Sequence, residues 1–400
     1  MTATETPPTD APPIDMLDPT FWRDRQHEAW TWCRANDPVY RDESSGFWAV
    51  TKHADLLFVE RHDEVFSSQG AYRVNEAEVE SNMIARDDPQ HLQQRRLVNR
   101  GFTPRAVREQ SDEFEAMIFG LVDAVTADGG CEVVDAIAGQ LPARFTCNLL
   151  GLPEENWRQV KGWSERLMRI DSMMFDEQAM AGMVEVTTEL MTMIMATVPE
   201  QRGCPIGPGL ISRWSHAEID GEPLPVDQIF HEVGLFVAGG AETTRTAIAH
   251  GLRTFCDHPD QWEAMYEDPS LIPGAVDEVI RWVTPLNNMF RKATVDTELN
   301  GKQIAAGDRL ALVYPSANRD EDVFDDPFTF DIRRDPNHHV AFGHGTHFCI
   351  GANFARRELE ILFGKLTQDW TDLHVVDEID VEANIFARAV RSFGIGFTPR

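Results

Sequence analysis

Positive charge is scarce in this chain: 36 lysines and arginines stand against 66 aspartates and glutamates, a net charge of −30 over 400 residues. A phosphate backbone or an anionic lipid surface would be repelled, which argues against nucleic acid and acidic membranes as partners. The six cysteines, at 33, 131, 147, 204, 256 and 349, contain no C-x-x-C pair. Neither a zinc site nor a disulfide framework is indicated, and a reducing cytoplasm fits. His231-Glu232 lacks the second histidine of H-E-x-x-H, and His338-His339 has no second ligand pair at a suitable spacing. There is no signal peptide and no uninterrupted apolar run of transmembrane length, so the expectation is a soluble chain without a membrane anchor. No Gly/Ser linker, repeat or composition break divides residues 20–400.

What is present supports one large, mainly helical unit. Hydrophobic residues make up 42% of the chain, enough for a sizeable core. Residues 1–14, with four prolines and several threonines, are expected to form a disordered leader, and residues 15–400 a single domain. Helical periodicity is expected over Phe21 to Ala35, then at 53–61, 89–100, 104–127 and 139–151. Residues 155–198 read as two long helices, 226–256 as the longest, and 258–283 as two more. Strands are expected at Pro38–Arg41, Phe47–Thr51 and 293–314. A last helix should run to about Trp370, with short strands closing the chain. With short, clustered strands, the helices must bury one another.

Ten residues carry most of the chemistry: Phe342-Gly343-His344-Gly345-Thr346-His347-Phe348-Cys349-Ile350-Gly351. A thiolate is a soft, strongly donating ligand, stabilised by backbone N–H groups at a helix start. Gly345 and Gly351 let the backbone approach a flat cofactor and the sulfur. Phe342 is placed to shield the thiolate from water. A lone cysteine is more often a small buried hydrophobe. Here the spacing F-x-x-G-x-x-x-C-x-G is complete, and it resembles the haem-ligand loop of the cytochrome P450 family. That resemblance implies a P450 fold with haem b between the long central helix and the loop, iron bound by Cys349, and His347 at a haem propionate.

The central helix carries Gly239-Gly240-Ala241-Glu242-Thr243-Thr244. Two interior glycines cost roughly 1 kcal/mol each relative to alanine, so they need a compensating reason. Close helix packing is one; the approach of a cofactor face and a gas molecule is another. Thr243 is placed to bond the Gly239 carbonyl one turn back and open a groove. The segment resembles the family's oxygen-binding helix. The resemblance implies that Thr243 donates a hydrogen bond to dioxygen and that Glu242 delivers protons through water.

Further matches follow in the family's order. Glu278 and Arg281 match E-x-x-R, a buried pair supporting the cysteine loop. Arg291 matches the propionate arginine, and His91 with Arg95, one helical turn apart, would face a second carboxylate. Eight of the 14 methionines lie between Met168 and Met195, a composition suited to a surface that reshapes around a ligand. Met173, Met174, Leu286, Asn287 and Met289 are the expected pocket residues, with residues 66–86 as a recognition loop. The runs Asp87-Asp88-Pro89 and Asn288-Met289-Phe290-Arg291 look like the actinobacterial steroid side-chain hydroxylases, implying a steroid or branched lipid.

The resemblance therefore implies a monooxygenase using O2, with electrons from a separate ferredoxin and its reductase. Arg96, Arg100, Arg105 and Arg108, with Arg356 and Arg357, would form the basic docking patch. Two alternatives remain at this stage. A peroxide-driven enzyme of the same fold usually replaces the acid–alcohol pair, and a haem gas sensor would need an output domain.

Overall fold

A computed structural model describes residues 11–76, 80–172 and 176–400. The central helix, Val226–Asp257, organises the rest. Leu141–Leu150, Trp157–Leu167, Glu177–Arg202 and Ile272–Val283 all pack on it. That surrounds it with apolar neighbours, and its buried residues fall on nearly every face. The partner Leu141–Leu150 stops sharply: Gly151 takes a left-handed φ of 81°, the conformation in which a glycine ends a helix without a Cβ clash.

Two sheets flank the helices. The five-stranded one has the order Val39–Arg41, Trp48–Val50, Arg309–Val313, Asn288–Ala293, Phe66–Ser67. Its pairs are antiparallel except Trp48–Val50 with Arg309–Val313. Strand alternation aims Met289 and Arg291 to one side and buries Phe290 against Phe47 on the other. The second sheet pairs Trp370–Val381 with Val390–Pro399 and Gly130–Glu132.

Two sequence expectations need correction. The helix expected over Phe21–Ala35 is two, Pro19–Asp24 and Gln26–Asn36, broken at Arg25. The break lets Phe21, Trp22 and Trp30 meet edge-on and tilted at 5.2–5.6 Å. The closing strands are long, 12 and 10 residues, with bulges absorbing their twist. Of the leader expected at 1–14, residues 1–10 lie outside the described ones, and Ile14 packs against the Phe21 cluster. Glu177–Arg202 is long and apolar enough by composition to cross a membrane. In the fold it buries a stripe of Ala179, Val186, Leu190, Ile194 and Val198 against its neighbours.

Candidate active site

Between the central helix and the cysteine loop lies a cavity of about 370 Å³. Cys349, Phe342, Gly351 and His347 line it from the loop, and Gly239, Gly240, Thr243 and Thr244 from the helix. Cys349 turns its surface to this cavity while protein atoms enclose it. Burial pushes its thiol up; the N–H groups of Gly351 and Ala352 and the guanidinium groups of Arg95 and Arg356 pull the other way. The Cys349 N–H donates to the Phe342 carbonyl at 2.9 Å, closing the loop, and the helix Ala352–Asp369 follows at once.

Gly345 behaves differently from its sequence reading. It has φ +66°, and a Cβ there would collide with the carbonyl oxygen of Glu60. It is needed for the turn and for contact with the helix His53–Arg61, and it is not among the residues that line the cavity. Gly240 faces Thr146 Oγ1, 2.8 Å from where a Cβ would stand, whereas a Cβ on Gly239 would meet only open space.

Thr243 Oγ1 donates to the Gly239 carbonyl at 2.8 Å, as the spacing predicts. Glu242 is buried and does not line the cavity. It accepts a close hydrogen bond from Arg245, which also reaches Glu165, itself 2.9 Å from Lys161. Burial raises the Glu242 carboxyl, and Arg245 opposes that rise.

The cationic residues converge. His91, Arg95, Arg291 and His347 all line the cavity. The His91 and His347 rings lie 4.5 Å apart, and the Nε2 atoms of both are buried without a partner among the described residues. Arg95 donates to the Phe348 carbonyl at 2.6 Å, tying its helix to the cysteine loop. Arg291 donates to the Phe290 carbonyl at 2.8 Å. Unpartnered buried imidazole nitrogens beside two guanidinium groups, with a thiol on the same cavity wall, fit a planar iron cofactor bearing carboxylates.

Glu278 and Arg281 form a bidentate pair at 2.7 and 2.8 Å with no exposed surface. Arg281 also donates to the carbonyls of Asn318, Pro327 and Thr329, while Glu278 accepts from Asp331 N and Asn337 Nδ2. The pair thus pins the irregular 318–337 stretch that leads into the cysteine loop.

On the pocket side, Leu286 and Met289 line the cavity, but Asn287 does not. Its amide donates to the carbonyls of Asn384 and Ile385, anchoring the turn that brings in Phe386. Met173 and Met174 lie outside the described residues. Met168 and Met183 take the lining role, and Tyr72, Arg73, Asn82 and Met83 enter from the expected recognition loop. Sequence reasoning missed Arg73, whose guanidinium sits 4.0 Å over Phe386 and 2.9 Å from Asp171. An arginine inside a loop has no local signal of burial; its partners come from remote segments.

Of the expected basic patch, Arg96 and Arg100 are exposed and form no ion pair among the described residues. Arg105 pairs with Glu109, Arg356 with Asp277, and Arg357 with Glu115 and Glu360.

A family model described as Cytochrome P450 matches residues 177–383. The chain is 36% identical over 396 residues to a steroid C26-monooxygenase of Mycobacterium tuberculosis, covering 98% of each. It is 36% identical over 348 residues to a methyl-branched lipid omega-hydroxylase of Mycobacterium bovis, covering 84% of this chain and 80% of that one. The solved structure of a Mycobacterium marinum cytochrome P450 in complex with pseudoionone superposes with a TM-score of 0.88 at 32% identity, covering 97% of this chain and all of the other.

Proposed function

The chain belongs to the cytochrome P450 family, and on that premise we propose that it hydroxylates a terminal carbon of a steroid or methyl-branched lipid. Monooxygenase chemistry on an apolar compound is the family's activity. The terminal position rests on two relatives named for C26 and for the omega carbon. The observation that carries the reading here is the cavity wall. Met168, Met183, Leu190, Phe230, Leu286 and Phe386 supply apolar surface beside Thr243, and Tyr72, Arg73, Asn82 and His231 are polar groups on the same cavity wall that can orient a ligand.

When bound, haem supplies the oxidising chemistry: reductive activation of O2 and insertion of one oxygen atom into a C–H bond. The residues bind, orient and manage protons. Cys349 would hold the iron through its donating sulfur, with Phe342 on the same cavity wall. His91, Arg95, Arg291 and His347 would hold the propionates. Thr243, with its O–H engaged by Gly239, offers acceptor lone pairs to the cavity; donating toward dioxygen requires leaving that carbonyl. Glu242 stands at the inner end of a charged chain, Glu242–Arg245–Glu165–Lys161, whose outer members are partly exposed. Opening of the Arg245 contact would free this acid to pass a proton toward Thr243 through water.

Electrons would arrive from a ferredoxin and its reductase in the cytoplasm, docking at Arg96 and Arg100. A spectral binding screen over steroids, branched fatty acids and terpenoids, followed by reconstituted turnover, tests the reading. Binding and terminal hydroxylation of a sterol or branched lipid are expected. Product only from compact terpenoids would overturn the substrate class.

A further inference from the structure

The cationic cradle contains an acid. Glu60, at the end of the helix His53–Arg61, is buried and lines the cavity together with His91, Arg95, Arg291 and His347. Its Oε1 accepts the Tyr314 hydroxyl at 2.7 Å and sits 3.8 Å from Arg291 Nη2, too far for a good hydrogen bond. Its Oε2 is buried and has no partner among the described residues. The cysteine loop closes over it: a Cβ on Gly343 would lie 3.1 Å from Glu60 Oε1.

Charge decides what Glu60 does there. Arg95 and Arg291 carry two permanent positive charges, which balance the two propionates of a haem. His91 and His347 donate N–H bonds whether charged or not. An ionised Glu60 would add a third carboxylate to a balanced, desolvated site, and its free Oε2 would face another anion. A carboxylic acid removes both problems, because its O–H is a donor that a propionate accepts.

We propose that Glu60 is a further cofactor-binding residue, its carboxylic acid donating a hydrogen bond from Oε2 to a haem propionate. The inference rests on the cradle reading given above. Burial supports it by pushing the Glu60 carboxyl up to about 7, against Arg291, the Tyr314 hydroxyl and the His344 N–H. Tyr314 bonds the opposite oxygen, so it holds the acid's orientation and leaves the donor edge free.

The test compares Glu60→Gln, Glu60→Leu and Arg291→Gln as holoproteins, reading haem transfer to excess apomyoglobin. A hydrogen bond to a charged acceptor implies that Glu60→Leu accelerates haem loss about 10-fold or more, whereas the Gln amide keeps a donor and stays within about 2-fold of the parent. Arg291→Gln should accelerate loss independently. Parent-like retention in Glu60→Leu, with Arg291→Gln impaired, overturns the role of Glu60 and leaves the cradle standing. Parent-like retention in Arg291→Gln overturns the cradle itself. Equal loss in the Gln and Leu variants also overturns the donor role. If Glu60→Leu fails to fold, the parent holoprotein decides. Infrared difference spectra against Glu60→Gln, with 13C-labelled glutamate, should show a protonated carboxylic acid, and an ionised carboxylate in its place rejects the proposal.

Discussion

Thr243 and Glu242 are neighbours in sequence but look in different directions, because successive helix positions diverge by about 100°. Thr243 meets the cavity, and Glu242 meets Arg245 behind the helix. Thr243→Ala is therefore expected to leave substrate binding intact while lowering product formed per NAD(P)H consumed, by about 10-fold or more for a group managing protons. Stoichiometry of product against NAD(P)H and peroxide checks it. Glu232 offers a second residue-scale expectation. It is buried, accepts the Met83 N–H at 3.0 Å, and its other oxygen has no partner among the described residues. Burial pushes its carboxyl to about 8 from an ordinary 4.5, with the Met83 N–H pulling the other way. The folded value lies above the unfolded one, so its stabilising contribution is complete below about pH 4.5 and lost as pH climbs through about 8. Glu232→Gln should flatten that dependence, on the order of a few kcal/mol, in thermal unfolding followed across pH. Features that ride on local spacing, such as the place of Cys349 on the cavity wall and the Thr243–Gly239 hydrogen bond, were legible in the sequence. Arg73 and Glu60 were not, since their burial and partners are made by packing between remote segments. Asn287 was misread because nearness to Leu286 and Met289 along the chain says nothing of which way an amide turns.

At the scale of elements, most helices were legible from periodicity, and the misses lie where tertiary contact overrides it. The break at Arg25 serves an aromatic cluster, and the long closing hairpin is stabilised by Trp370 stacked on Phe397 at 3.8 Å. The Glu278–Arg281 pair shows why one helix matters to a loop some seventy residues on. Arg281→Met leaves a buried carboxylate with fewer donors and releases three carbonyls, so a loss of about 3–5 kcal/mol is expected. Calorimetry should register it as a lower Tm, and haem content should fall in parallel because the 318–337 stretch no longer sets the cysteine loop.

For the molecule as a whole, a net charge of −30 would oppose the acidic ferredoxin proposed as donor at long range, so such docking would rely on local relief. Arg96 and Arg100 can provide it; Arg356 and Arg357 are held by internal acids. Arg96→Glu or Arg100→Glu should raise the KM for ferredoxin several-fold, more at low salt, with substrate-induced spectra unchanged. Equal effects at low and high ionic strength would count against electrostatic docking. The contact between Gly345 and the backbone of Glu60 has a topological consequence. It fastens the cysteine loop to the first sixth of the chain. A circular permutant opened at the exposed Asp220-Gly221 turn keeps that clasp within one continuous strand of polypeptide. One opened between Arg61 and Phe66 puts a free end beside it, and should assemble its cofactor slowly even where the helices still find one another.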